Sequence, residues 1–190
     1  MRERIKNIFT TSIEVKRQTV SECLDNIISL TEMVIKTLKA GGKILLFGNG
    51  GSAADAQHIA AEFVNRFKKD RPPLPALALT TDTSVLTSIG NDYGYELVFV
   101  KQVESLGKPG DVAWGISTSG RSPNVNLALK RAKELGLKTV ALTGGNGGEM
   151  AKTADLSIIV PSFDTPRIQE VHITIGHAVC ELVEEKLFGR

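Results

Sequence analysis

The sequence predicts an α/β protein built on a parallel sheet with helices on both faces. Five short apolar runs recur along the chain, at Ile44 to Phe47, Ala76 to Leu79, Val112 to Ile116, Thr139 to Leu142 and Leu156 to Val160. Helical stretches separate most of them, and strand alternating with helix at this spacing is the pattern of βαβ units. The first run also empties into a glycine turn, Gly48-Asn49-Gly50-Gly51, from which a helix opens at Ser52 or Ala53. An unbroken apolar run before such a turn reads as a strand buried on both faces.

Each remaining element follows from periodicity and punctuation. Residues 1–40 read as two helices. Ile5, Ile8, Phe9 and Ile13 form a short stripe, and Val20, Leu24, Ile27, Ile28, Val34, Ile35 and Leu38 a longer one that Gly41-Gly42 ends. Further helices are predicted over Ala53 to Phe67, Asn91 to Gly107 (broken), Pro123 to Leu135, Gly148 to Thr153 and Pro166 to about Phe188. The last is apolar nearly all round: Ile168, Val171, Ile173, Ile175, Ala178, Val179, Leu182, Val183 and Leu187. The first forty residues likewise carry more apolar surface than one face of a small sheet needs. Such excess predicts a homo-oligomer with residues 1–40 in the interface; the alternative is that these helices pack only on each other and the sheet. No repeat, linker or low-complexity segment interrupts the chain, so residues 1–190 read as one domain.

Composition narrows the function classes. Of 190 residues, 42% are apolar and 23% charged, ordinary for a globular domain with a full core. A net charge of +2, with no Lys/Arg cluster interleaved with aromatics, argues against nucleic acid as a partner. Cys23 and Cys180 lie far apart without C-x-x-C spacing and read as buried thiols in a reducing compartment. The start, Met1-Arg2-Glu3-Arg4, lacks the apolar region of a signal peptide. No stretch approaches the roughly 18 apolar residues of a membrane span. A cytoplasmic protein with no membrane partner is expected.

Chemistry-bearing residues gather after the strands. The Gly48 to Ser52 turn presents backbone N–H groups at a helix N-terminus, where an anion such as phosphate is well placed. Asn49 and Ser52 add polar groups suited to sugar hydroxyls. A second loop, Ser117-Thr118-Ser119-Gly120-Arg121-Ser122, ends with Ser122 as N-cap and Pro123 at the first helical position. Its hydroxyls and N–H groups suit phosphate too, though a plain capped loop would look the same. Both loops leave the carboxyl ends of strands, the binding edge of open α/β sheets. Neither a G-x-G-x-x-G fingerprint nor a Walker lysine is present, which disfavours nucleotides. The run Gly144-Gly145-Asn146-Gly147-Gly148 reads as a tight strand–helix turn.

His58 and Glu62, at i,i+4, share one helix face beside the first loop. They are a metal-ligand or acid/base pair, or else a surface pair or a capped core histidine. The other histidines, His172 and His177, stand on the last helix with Gln169. Gln169 and His177 are i,i+8, about 12 Å apart along the axis. They reach one ion only by converging from both ends or from different subunits. His, Glu, Gln and His together suit a borderline ion such as zinc.

Taken in order, Gly48-Asn49-Gly50-Gly51-Ser52-Ala53-Ala54-Asp55-Ala56-Gln57-His58-x3-Glu62, Gly90-Asn91-Asp92-Tyr93-Gly94, Ser117-Thr118-Ser119-Gly120 and Arg167-Ile168-Gln169-Glu170-x-His172 closely resemble the phosphoheptose isomerases of the sugar isomerase (SIS) family. The resemblance covers nearly the whole chain. It implies a flavodoxin-like, doubly wound five-stranded parallel sheet preceded by the N-terminal helix pair, and a homotetramer with active sites between subunits. It implies conversion of sedoheptulose 7-phosphate to D-glycero-D-manno-heptose 7-phosphate through an enediol, for bacterial heptose in lipopolysaccharide or other surface glycans. It implies zinc held by His58, Glu62, Gln169 and His177. The matching substrate contacts are Asn49, Gly50, Gly51, Ser52, Glu62, Asn91, Asp92, Ser117, Thr118, Ser119, Ser122 and Gln169.

The chemistry agrees with these types. An aldose–ketose exchange needs a base for a carbon-bound proton and an acid at the carbonyl oxygen. Glu62 is the expected base and His177 its acid/base partner. His172 is expected to pack within its helix or support the site. One departure is Pro166, where relatives often carry an acidic residue; Asp164, two residues earlier, is the candidate replacement. The main rival reading is a non-enzymatic SIS protein that binds the bacterial replication initiator. As that group's pattern goes, it lacks the glutamate and second histidine that Glu62 and His177 supply here. A sugar-phosphate-sensing regulatory module ranks third, since no further domain fits in this length. An isomerase of another ketose phosphate is a variant of the first reading.

Overall fold

The computed structural model describes residues 1–189. Helix α1 (Arg2–Lys39) precedes β1 (Ile44–Gly48), α2 (Gly51–Val64) and β2 (Ala76–Ala78). Then come α3 (Thr83–Tyr93), a single 3-10 turn (Tyr95–Leu97), α4 (Val98–Leu106), β3 (Val112–Ser117), α5 (Pro123–Glu134), β4 (Lys138–Gly144), α6 (Met150–Thr153), β5 (Leu156–Val160) and α7 (Thr165–Phe188). The five strands are all parallel, in the order β2-β1-β3-β4-β5. All five stand where the apolar runs predict them.

The strands' period of two divides the core in two layers. Ile44 and Leu46 of β1, with Trp114, Ile116, Val140, Leu142, Ile158 and Val160, face α1, α2 and α7 through Leu30, Val34, Ile59, Phe63, Ile175 and Val179. Leu45, Phe47, Ala113 and Ala141 face α4 and α5 through Val98, Phe99, Val103, Val125 and Leu129. Each strand residue thus meets helices on one side only, as doubly wound topology requires.

Two helical expectations need correction. The N-terminal segment is one helix of 38 residues, not a pair. Nothing between Arg2 and Lys39 is Gly or Pro, so nothing breaks the ladder. The change of stripe reflects two apolar faces on one rod. Val15, Cys23, Leu30 and Val34 are buried, whereas Ile5, Phe9, Ile13, Val20, Leu24 and Ile28 remain 46–66% exposed. The broken helix expected from Asn91 is instead α3, a 3-10 turn and α4. Helix α3 has no apolar stripe to announce it, since none of its residues is buried. It begins where the Asp82 carboxylate accepts the Val85 N–H at 3.0 Å.

Helix α7 is less apolar in use than in sequence. It buries Ile168, Val171, His172, Ile175, Val179 and Val183 and leaves Leu182 exposed. Cys23 and Cys180 are buried free thiols, and burial pushes the Cys180 thiol up to about 12, which makes it inert. Among the described residues no helix is long and apolar enough to cross a membrane.

His172 is fully buried, with Nε2 3.1 Å from the Thr143 carbonyl oxygen. Only a protonated nitrogen bonds a carbonyl, so Nε2 carries the hydrogen. Burial pushes its pKa down to about 4 from 6.5, against the pull of that hydrogen bond. The neutral ring therefore stabilises the fold above pH 6.5, and this contribution is lost as pH falls through 4. Urea unfolding across this window should show wild type losing up to about 3 kcal/mol that His172→Gln does not lose.

Candidate active site

Parallel pairing of β1 with β3 sets Gly48 opposite Ile116, so the two loops leave the sheet side by side. The approach is close: a Cβ on Gly48 would meet the Ile116 carbonyl oxygen at 2.7 Å. Past it, Gly50 adopts φ +54°, a left-handed turn that a residue without Cβ takes without strain. The turn is closed by Ser52 N–H donating to Asn49 O at 2.9 Å. Helix α2 then starts with its N-terminus at the strand edge.

A reciprocal amide pair clamps the two loops. Asn49 Nδ2 donates to Asn124 Oδ1 and Asn124 Nδ2 to Asn49 Oδ1, both at 2.9 Å. The Tyr95 hydroxyl also donates to Asn49 Oδ1 at 3.3 Å. Asn49 therefore spends most of its bonding capacity on the protein. Its partner Asn124 is 3% exposed and carried no signal in the sequence, being one more polar residue in a first helical turn.

The hydroxyl loop is built just as tightly. Ser122 is the N-cap of α5, yet its Oγ pairs with Ser117 Oγ at 2.9 Å and not with the helix. Gly120 has φ +64°, and the N–H groups of Glu149 and Met150 donate to its carbonyl at 3.0 and 3.1 Å. The glycine run makes the expected tight turn, Gly147 N–H donating to Gly144 O at 3.0 Å, and it also lies against Gly120, where a Cβ would strike the Gly147 carbonyl. Thr118, Ser119 and Arg121 face Gly144, Gly145, Asn146 and Thr165 across a cavity of about 190 Å³. Among the described residues no carboxylate pairs with Arg121, so its charge is available to an anion. Sequence reading left Arg121 without a role.

The ionisable groups meet along α2 and α7. His58 Nε2 stands 3.1 Å from Glu62 Oε1, and His177 Nε2 3.3 Å from His58 Nε2. The two imidazoles meet edge to face with centroids 4.9 Å apart. One ligand atom from each of the three residues lies within 4.8 Å of the others. Two nitrogens and a carboxylate oxygen converging this way fit a borderline divalent ion. The His58 and Glu62 side chains are 48% and 25% exposed, so a small substrate can reach them. One turn earlier Asp55 keeps a buried Oδ2 without a hydrogen-bond partner. Burial pushes its carboxyl up to about 6, with His58 drawing it the other way.

The remaining candidates are spread more widely. Gln169 lies over Gly51, where an added Cβ would strike its amide; it therefore stands at the loop end of the crevice. Ser52 is buried at the start of α2. Asn91 and Asp92 sit exposed in the last turn of α3 and hydrogen-bond each other at 2.8 Å. No hydrogen bond among the described residues joins them to either loop. Asp164 is 60% exposed and lies 3.9 Å from Arg167, whose closer partner is Glu170 at 2.8 Å.

The amide clamp generates a test. Asn124→Ala leaves the buried half of the Asn49 amide unpaired and should cost about 1–3 kcal/mol in urea unfolding. Strands β4 and β5 should keep their hydrogen-exchange protection while the two loops lose theirs.

The geometry has counterparts among known proteins. An SIS domain model matches residues 9–144. A phosphoheptose isomerase of Aquifex aeolicus is 58% identical over 190 residues, covering all of both chains. Among solved structures, the phosphoheptose isomerase from Neisseria gonorrhoeae superposes with a TM-score of 0.92 at 46% identity, over 97% of this chain and 98% of that one. The Francisella tularensis phosphoheptose isomerase gives 0.93 at 38%, over 96% and 97%. With the glycine turn and the hydroxyl loop at adjacent strand ends and the His58–Glu62–His177 cluster along α2 and α7, this chain belongs to the phosphoheptose isomerases of the SIS domain family.

Proposed function

We propose that the chain interconverts sedoheptulose 7-phosphate and D-glycero-D-manno-heptose 7-phosphate, supplying heptose for bacterial surface glycans such as lipopolysaccharide. The observation that carries this is the convergence of His58, Glu62 and His177 along α2 and α7, the same α2 whose N-terminus meets the hydroxyl loop at the strand ends. Relatives named phosphoheptose isomerase, matched over 93–100% of the chain, support the same reading.

Thr118, Ser119 and Ser122 hold the distal phosphate, and Arg121 supplies the compensating charge. Remote binding of this kind orients the reacting end. The open-chain ketose presents C1 and C2 to α2. Glu62 removes a proton from C1 while His177 gives one to the C2 oxygen, leaving an enediol. The C1 hydroxyl then loses its proton to His177 and Glu62 returns the first proton to C2, which completes the aldose with no net change in either residue. Zinc held by His58, Glu62 and His177, with Gln169 converging from the other end of α7 or coming from another subunit, would polarise the carbonyl and offset the charge of the enediolate. Glu62 has two carboxylate oxygens for its two roles.

The exposed stripe of α1, from Ile5 to Ile28, supports assembly with further copies as a homotetramer. Charged substitution at Phe9 and Leu24 would then lower the mass measured by light scattering. A protein serving only to bind the replication initiator has no need of three convergent ligand groups.

Proton NMR of sedoheptulose 7-phosphate in D2O tests the activity. An aldoheptose phosphate deuterated at C2 is the expected product, and Glu62→Gln should abolish both turnover and exchange while the circular dichroism spectrum is retained. No product even with added zinc would count against the isomerase. Arg121→Gln should raise KM about tenfold, with kcat within about twofold.

A further inference from the structure

Helices α2 and α7 each supply part of the cluster, and a buried ion pair joins them beyond it. Arg71 Nε donates to Glu184 Oε2 at 3.0 Å, with both side chains at most 2% exposed. The rest of the guanidinium donates to backbone. Nη2 reaches Glu62 O at 2.8 Å, and Nη1 reaches Phe63 O at 2.9 Å and Pro72 O at 3.1 Å. Two of these carbonyls belong to the last turn of α2, where no helical partner exists. Glu184 completes the knot by accepting the N–H groups of Phe67, Lys68 and Lys69 at 3.1, 2.9 and 2.9 Å. The loop so held lays the Phe67 ring 5.7 Å from the His177 ring. His177 is thereby boxed between Phe67 and His58.

Desolvation offsets much of the attraction in a buried ion pair, so stability alone is a weak reason for one here. Apolar side chains would pack α2 on α7 equally well. A planar fork bound to named carbonyls does something they cannot, which is to set one axial and rotational position for the helix end. We propose that Arg71 and Glu184 are positioning residues for the His58–Glu62–His177 cluster, acting through the α2 backbone on Glu62 and through Phe67 on the His177 ring. The inference rests on the reading above that this cluster holds a metal ion.

Lys43 and Asp111 provide an internal control. Asp111 also binds a cation and accepts two backbone N–H groups, from Lys43 and Lys108, at the amino ends of β1 and β3, but among the described residues neither its side chain nor that of Lys43 hydrogen-bonds to α2, α7 or residues 65–72. The experiment titrates cobalt(II) into metal-stripped full-length wild type, Arg71→Lys, Glu184→Gln, Phe67→Leu and Asp111→Asn, following visible absorption, with thermal melts alongside. Folded Arg71, Glu184 and Phe67 variants should bind cobalt at least about tenfold more weakly and with an altered spectrum. Asp111→Asn should lower the melting temperature yet titrate like wild type. Phe67→Leu leaves the ion pair intact, so it decides the matter if the other two do not fold. Wild-type titrations in the folded variants, or equal weakening in Asp111→Asn, overturn the proposal. If wild type itself binds no cobalt, the metal reading has failed and this inference falls with it; if wild type binds and the variants match it, only this inference falls.

Discussion

Parallel pairing of β1 between β2 and β3 governs what this molecule can do. The chain leaves β1 toward one side of the sheet and later returns to place β3 on the other. The segments that follow β1 and β3 must then diverge from adjacent strand ends, and a crevice opens between them. Into it run the N-terminus of α2 and the loop before α5. Donors that cannot be spent inside either helix are thus concentrated where a phosphate can take them up. The glycines serve this approach. At Gly48 the neighbouring strand's carbonyl leaves no room for a side chain, and at Gly120 the buttressing 144–148 run leaves none either.

The ionisable cluster along α2 and α7 obeys a different constraint. His58 and Glu62 are neighbours by helical spacing alone, but a useful acid/base and ligand set needs His177 from a helix more than a hundred residues later. Packing of α2 on α7 supplies it, through Ile59 against Gly176 one residue before His177. Without a Cβ at Gly176 the two helices come close enough for imidazole to meet imidazole. Polar anchors finish what apolar contact leaves loose, since apolar surfaces can slide and hydrogen bonds to named carbonyls cannot.

Strands, glycine turns and the shared face of His58 and Glu62 were legible in the sequence because each is written in residues a few positions apart. Apolar runs bounded by glycine, and polar residues at i,i+4, carry their meaning locally. The unbroken α1 was legible in principle, for it has no breaker; two apolar faces on one rod imitated two rods. Helix α3 was not, because it buries no residue and so leaves no periodic stripe. Asn124 and Arg121 were present in the loop that was read, yet nothing local separates a clamp or a cation open to an anion from any other polar residue of a loop.

By itself, then, the sequence determined the α/β alternation, the chemistry on offer at each strand end and the resemblance that these residues carry together. Tertiary structure alone decided which groups meet. His177 joins His58 across 119 positions, and Arg71 joins Glu184 across 113. Local propensity says nothing at such separations. Their pairing is settled by how two amphipathic helices seat on one face of a twisted sheet, a property of summed apolar packing and not of any short stretch of chain.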